Sequence, residues 1–220
     1  MRLNLKKWRD LRANPYRRIF HDAFAKWRKD KGEVLRFRFP DLTAQSVVFD
    51  VGGFEGNWAH RIHAAHGSTL HVFEPHPGFA AQIAARFEGN DKIHLHAIAL
   101  GSADGTLSLS DEGDASSAIA DHTRSVTGDV VEVGRFFAEH GIDHVDLMKV
   151  NIEGGEYDLL PALISAGLMP RIDLLQVQFH LYSEADIAVR AGIRAQLAQT
   201  HDCVWEYPFV WEQWRLKKAP

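Results

Sequence analysis

Residues 47–76 read VVFDVGGFEGNWAHRIHAAHGSTLHVFEPH, and this stretch decides the fold. An apolar run carries Asp50 near its end, glycines follow at 52, 53 and 56, a helical pattern fills 56–66, and a second apolar run ends at Glu74. Strand, glycine turn, helix and strand in succession form a βαβ unit, whose two strands lie parallel. The runs VVFDV and LHVFE, with VDLMKV and IDLLQV further on, are mostly continuous rather than alternating, as a sheet covered on both faces requires. Working outward, strands are expected at 47–52, 69–74, 93–99, 106–109, 145–151 and 172–179. Helices are expected at 56–66, 77–87, 130–140, 155–166 and, more weakly patterned, 184–199. Residues 101–129 turn to Gly, Ser, Asp and Thr and read as loops around a short strand. The alternation predicts one α/β domain over residues 41–220, with a mostly parallel sheet and helices on both faces.

The ligand class follows from the turn. In an open α/β sheet, ligands sit beyond the carboxyl ends of the strands, where Gly52, Gly53 and Gly56 fall. Glu74, ending the second strand 24 residues after Asp50, is placed to accept both hydroxyls of a ribose. A dinucleotide site would explain that much. The spacing, however, is G-G-x-x-G rather than G-x-G-x-x-G, and Asp50 would stand where a pyrophosphate belongs. A positively charged nucleoside suits two flanking acids better, and S-adenosylmethionine has a ribose at one end and an ammonium and a sulfonium at the other.

Residues 1–40 form a segment of different character. Residues 1–38 hold 13 Lys/Arg against 4 Asp/Glu, and the remainder 12 against 25. Tyr16, Ile19, Phe20, Ala23, Phe24 and Trp27 recur at helical spacing behind an Asn14–Pro15 start, an amphipathic helix that packs on the domain or meets an anionic membrane surface. An earlier turn around Trp8 is weakly helical. The acidic body without a binding motif argues against nucleic acid. One cysteine, Cys203, allows no internal disulfide, and no apolar run approaches a membrane span, so a cytoplasmic protein is expected, with contact at the inner face of the membrane through the basic segment. Oligomeric state is left open.

The motif order resembles the FkbM family of S-adenosylmethionine-dependent methyltransferases. The likeness rests on FDVGGFEG at 49–56, HVFEPH at 71–76, AIALGSADGTLSL at 97–109, VDLMKVNIEGGEYDLL at 145–160 and IDLLQVQFH at 172–180. It implies a class I methyltransferase fold, a Rossmann-like seven-stranded sheet with a terminal hairpin, and methyl transfer to a hydroxyl of a sugar or natural-product acceptor. The sugar of a surface glycan or its precursor is the acceptor expected. It implies cofactor contacts from Asp50, Gly52, Gly53, Glu55, Gly56, Glu74, Pro75, Ala97 and Lys149. Gly53, Phe54 and Asn151 depart from the family's usual Ala, Asn and Asp, and Ala97 stands where an asparagine often follows the third strand.

His180 is the candidate general base, because an imidazole titrates near neutral pH. Glu153 would orient it or hold the acceptor, and Asn151 completes the catalytic set. Glu156 alternatively offers charge at a helix amino end, and Lys149 reads most simply as the buried partner of an acid. No metal is expected: His60, His63 and His66 lie on the first helix, and His71, His94 and His96 alternate on strands without acids, although Asn151, Glu153 and His180 could together take a divalent ion. Ser116 and Ser117 are candidate acceptor contacts in a loop. The carboxyl-terminal tryptophans read as core packing, or as an aromatic platform for a sugar. The rival functions are a methyltransferase-fold scaffold without catalysis and an NAD-dependent oxidoreductase.

Overall fold

The computed structural model describes residues 11–110 and 125–218. Ser116, Ser117 and the turn at Trp8 lie outside them. Seven strands form the main sheet: β1 (Val47–Val51), β2 (Thr69–Phe73), β3 (Ile93–His96), β7 (Val145–Val150), β8 (Ile172–Val177), β9 (His201–Tyr207) and β10 (Trp211–Leu216), in the order β3-β2-β1-β7-β8-β10-β9. The first five run parallel, whereas β10 is antiparallel to both β8 and β9. The order reverses between β1 and β7, which opens a crevice at their carboxyl ends.

Helices cover both faces: α1 (Arg18–Lys29), α2 (Gly32–Leu35), α3 (Asn57–His66), α4 (Pro77–Arg86), α5 (Val133–Glu139), α6 (Glu156–Ser165) and α7 (Ala185–Thr200). On one face Phe49, Phe73, Met148 and Leu175 pack with Phe136, Phe137, Leu159 and Leu163; on the other, Val48, Leu70, Val72 and Leu147 pack with Trp58, Ile62 and Ile83. Each such side chain contributes roughly 1.5–3 kcal/mol by leaving water. The central strands are therefore mostly apolar on both faces, apart from a few polar residues such as Asp50, Lys149 and Gln176.

Two expectations are corrected. The segment 93–99 is not one strand: it bends at Ala97, so that β3 ends the main sheet and β4 (Ile98–Gly101) enters a second one. That second sheet has the order β4-β6-β5, with β5 (Gly105–Ser110) and β6 (Ser125–Glu132) antiparallel. The helix expected from residue 130 begins at Val133, where Glu132 caps it by accepting from the amides of Gly134 and Arg135. Ser102 ties the second sheet to α6 through the carboxylate of Asp158.

α1 lies along the last hairpin, with Ala23 and Trp27 buried against Tyr207, Val210 and Trp211. The ring of Trp27 sits over Gly32, where a Cβ would come within 2.0 Å of it. Ile19 and Phe24 stay exposed on the flanks of that buried stripe. Trp211 and Trp214 are core residues and Trp205 stacks on Trp27, so these tryptophans offer no open platform. Arg190 and Arg194 clamp Glu206 and Glu212 beneath α7. No helix among the described residues is long and apolar enough to cross a membrane.

Candidate active site

A cavity of about 540 Å³ opens at the carboxyl ends of β1, β2 and β7, a size within the range of small-molecule sites. Val51, Gly52 and Phe54 line it from the first turn, Glu74 and Pro75 from the end of β2, and Asn151 to Gly155 from the end of β7. Its remaining wall, which the sequence did not reveal, comes from Leu100, Leu107, Leu109 and Val130 of the second sheet.

The glycine turn is held from within. The amides of Gly52 and Gly53 both donate to Phe73 O, at 3.0 and 2.9 Å, and that of Gly56 donates to Gly53 O at 2.8 Å. The amide of Phe54 donates to Glu74 Oε2 at 2.7 Å, while Glu74 Oε1 accepts from His76 N at 2.9 Å. Gly52, at φ +88°, leaves no room for a side chain: a Cβ there would meet Asn151 O at 2.0 Å. With the turn's amides spent on the protein, none of these four is free to cradle a pyrophosphate, which is how a dinucleotide turn works.

Glu74 is almost fully buried, and burial pushes its carboxyl above the usual carboxylate range. Two backbone amides fix it on the cavity wall and leave two acceptor positions unused, the number a vicinal diol needs. Phe54, at φ +50°, leans its ring on Phe79 at 4.4 Å, and Phe79 on His76 at 4.6 Å.

Asp50 does not face the cavity. Its fully buried carboxylate meets Lys149 Nζ at 2.8 Å, on the α3 side of the sheet. Burial pushes its carboxyl up, and Lys149 draws it back. Asp50, expected to bracket a cationic ligand, is paired with Lys149, its register partner on β7. Gly53, Gly56, Glu55, Ala97 and Lys149 also lie off the cavity lining. Gly53 packs against Val72, where a Cβ would come within 2.5 Å, and Glu55 accepts from Asn57 on the exposed surface. Ala97 occupies the bend between the two sheets.

The opposite wall carries a charged network. Glu153, at φ +50° and followed by Gly154 at φ +104°, turns sharply out of β7 onto the lining. His180 Nε2 lies 3.5 Å from Glu153 Oε1, and His180 Nδ1 lies 3.1 Å from Glu156 Oε1. Glu156 is fully buried and also accepts from the amides of His180 and Gly154, at 2.8 Å each. Tyr182 donates to Glu153 Oε2 at 3.1 Å. Burial alone would lower the pKa of His180, but its bonds to Glu153 and Glu156 outweigh that and raise it to about 9. The imidazole is therefore protonated at neutral pH, with a carboxylate at each nitrogen and no lone pair to offer. In that state His180 would hold Glu153 rather than accept a proton. The bond from His180 correspondingly holds the Glu153 carboxyl below its ordinary range.

The other histidines stand apart from the cavity. His63 bonds Ser68 O and Asn90. His71 Nδ1 meets His96 Nε2 at 3.0 Å at the β3 edge, and burial, with repulsion from neighbouring imidazoles, pushes both down to about 4. At the far end of the sheet His144, Asp146 and Asp173 bring ligand atoms within 4.8 Å of one another.

A methyltransferase FkbM domain matches residues 50–210. The chain belongs to the FkbM methyltransferase family. Among solved structures, the METTL16 methyltransferase domain is similar over 81% of this chain and 63% of its own, at 11% identity and a TM-score of 0.50. An rRNA methylase of Streptococcus thermophilus aligns over 80% and 90% of the two chains at 10% identity and a TM-score of 0.49. Aeropyrum pernix fibrillarin, solved with natively bound S-adenosyl-L-methionine, aligns over 80% and 69% at 11% identity and a TM-score of 0.45. These identities speak to fold alone. No curated protein matches the sequence. The FkbM match runs from Asp50, near the end of β1, to Val210, in the turn before β10, and so takes in the carboxyl ends of the main-sheet strands that border the cavity.

Proposed function

We propose that this FkbM protein is an S-adenosylmethionine-dependent O-methyltransferase whose acceptor is a sugar hydroxyl. The observation that carries the cofactor half is Glu74, a buried carboxylate fixed by two backbone amides on the cavity wall with acceptor capacity to spare. Glu74 would take the ribose hydroxyls, Pro75 and Leu100 would flank the base, and Asn151, whose Oδ1 is buried without a partner, is available to an ammonium. When bound, the cofactor supplies an electrophilic methyl group.

The chain's own part is to hold the acceptor oxygen and receive its proton. Glu153 is the group for that task. It lines the cavity, stays ionised, and is oriented by Tyr182 and by the imidazolium of His180. As the acceptor oxygen attacks, its proton passes to a Glu153 carboxylate oxygen. His180 stays protonated throughout, anchored from behind by Glu156, and acts as a positioning residue. The ring of Tyr182, 40% exposed and beside Glu153, offers the apolar face that a sugar ring can lie against. The tied glycine amides disfavour the oxidoreductase reading, and the intact cavity disfavours a scaffold.

Residues 1–40, basic and exposing Ile19 and Phe24, would bring a cytoplasmic enzyme to the inner face of a membrane where glycan precursors are built. The test is transfer of labelled methyl from S-adenosylmethionine to nucleotide sugars, glycolipids and structured RNA. Label on a sugar that vanishes in Glu153→Gln supports the reading. Label on RNA alone would overturn it.

A further inference from the structure

Lys149 does not line the cavity, yet it fixes the carbonyl side of the glycine turn. Its ammonium is buried, lies 2.8 Å from Asp50 Oδ1 and donates to Gly52 O at 2.7 Å. Asp50 and Lys149 stand opposite each other in a register row that continues through Gln176 of β8 to Gln213 of β10. All four side chains are buried, and Gln176 Nε2 donates to Gln213 Oε1 at 3.3 Å. A buried ion pair adds little net stability, because apolar residues of equal volume often serve as well or better. What Lys149 holds is therefore more informative than what it stabilises. The Gly52 carbonyl is drawn to Lys149, while the Gly52 and Gly53 amides are drawn to Phe73 O. Both ends of the turn are thus tethered, and the next amide, that of Phe54, arrives at Glu74.

We propose that Lys149 is a positioning residue for the cofactor: tethered by Asp50, its ammonium fixes the Gly52 carbonyl, and with it the turn that delivers the Phe54 amide to Glu74. This rests on the cofactor reading above. It makes the sheet's polar row part of the binding apparatus although no member of the row lines the cavity.

The test uses the full chain, with melting temperature and calorimetric titration of S-adenosylhomocysteine as readouts. Lys149→Met alone should lower both, because it leaves Asp50 buried without a cation. The double variant Asp50→Leu/Lys149→Met removes both charges and should regain much of the melting temperature, yet bind S-adenosylhomocysteine about tenfold more weakly, a difference of ~1.4 kcal/mol. Asp50→Asn leaves the Lys149 ammonium buried without an anion and loosens its tether, so it too should lower the melting temperature and weaken binding. A double variant that binds as the unmodified protein does would overturn the proposal, leaving the cofactor reading intact. Should the double variant not fold, Lys149→Met, titrated below its melting temperature, decides, and S-adenosylhomocysteine binding within about threefold of the unmodified protein overturns the proposal. No binding by the unmodified protein overturns the cofactor reading and this proposal together.

Discussion

The His180 network makes a pH prediction that separates its electrostatics from its packing. His180 rises from its ordinary 6.5 to about 9 in the folded protein, and its side chain is only 13% exposed. A shift of that size corresponds to roughly 3 kcal/mol of preferential binding of the proton by the folded state. The folded pKa is the higher one, so this stabilisation is fully present below about pH 6.5 and is lost as the pH climbs through 9. Replacement by Gln keeps a donor for Glu156 but removes the titration. Urea unfolding of the unmodified protein and of His180→Gln at pH 6, 7.5 and 9.5 gives the comparison. The stability difference between the two proteins should narrow by about 2–3 kcal/mol across that range, with other titrating groups cancelling. Parallel profiles would refute the argument, for they would mean that His180 is neutral when folded, and its candidacy as a base would return.

Gly52→Ala should cost about 3 kcal/mol or more in denaturant unfolding, since its Cβ would meet the Asn151 carbonyl of a central strand at positive φ; a change below about 1 kcal/mol would show that the turn can move. Glu74→Ala should weaken S-adenosylhomocysteine binding by about 2 kcal/mol or more in calorimetry, through loss of a charged acceptor for two hydroxyls. Trp27→Ala should lower stability by about 3–4 kcal/mol in urea melts, because the ring fills the space between Gly32, Tyr207 and Trp205. Vesicles containing anionic lipid should cosediment the protein, and Arg28→Glu/Lys29→Glu/Lys31→Glu should abolish this; no cosedimentation of the unmodified protein removes the membrane reading.

The parallel core was legible because β1, β2, β7 and β8 are largely buried on both faces, and such strands carry apolar residues in nearly continuous runs rather than at alternate positions. The second sheet was not. SVTGDVVE at Ser125–Glu132 mixes Gly, Asp and Thr with valines, and its pairing with β4 and β5 is set by the tertiary fold. Glu74 could be read from the sequence because its place at a strand end follows from chain order alone. The pairing of Asp50 was not legible because its partner lies 99 residues away, and only the adjacency of β1 and β7 reveals it. The surroundings of His180 were hidden for a related reason: two carboxylates from one loop-helix junction converge on it, and a sequence shows neither distance nor desolvation.

The spent amides of Gly52, Gly53, Phe54 and Gly56 bear on competition inside a cell. Adenosine there occurs chiefly as phosphorylated nucleotides, and a pocket that knew its ligand by the ribose alone would be filled with them. On the proposed reading, the carboxylate that would meet the ribose stands beside a turn whose amides are already taken, so an incoming triphosphate would face negative charge without a compensating donor from these four residues. Selection against phosphorylated nucleotides would then lie largely in the main chain of the turn.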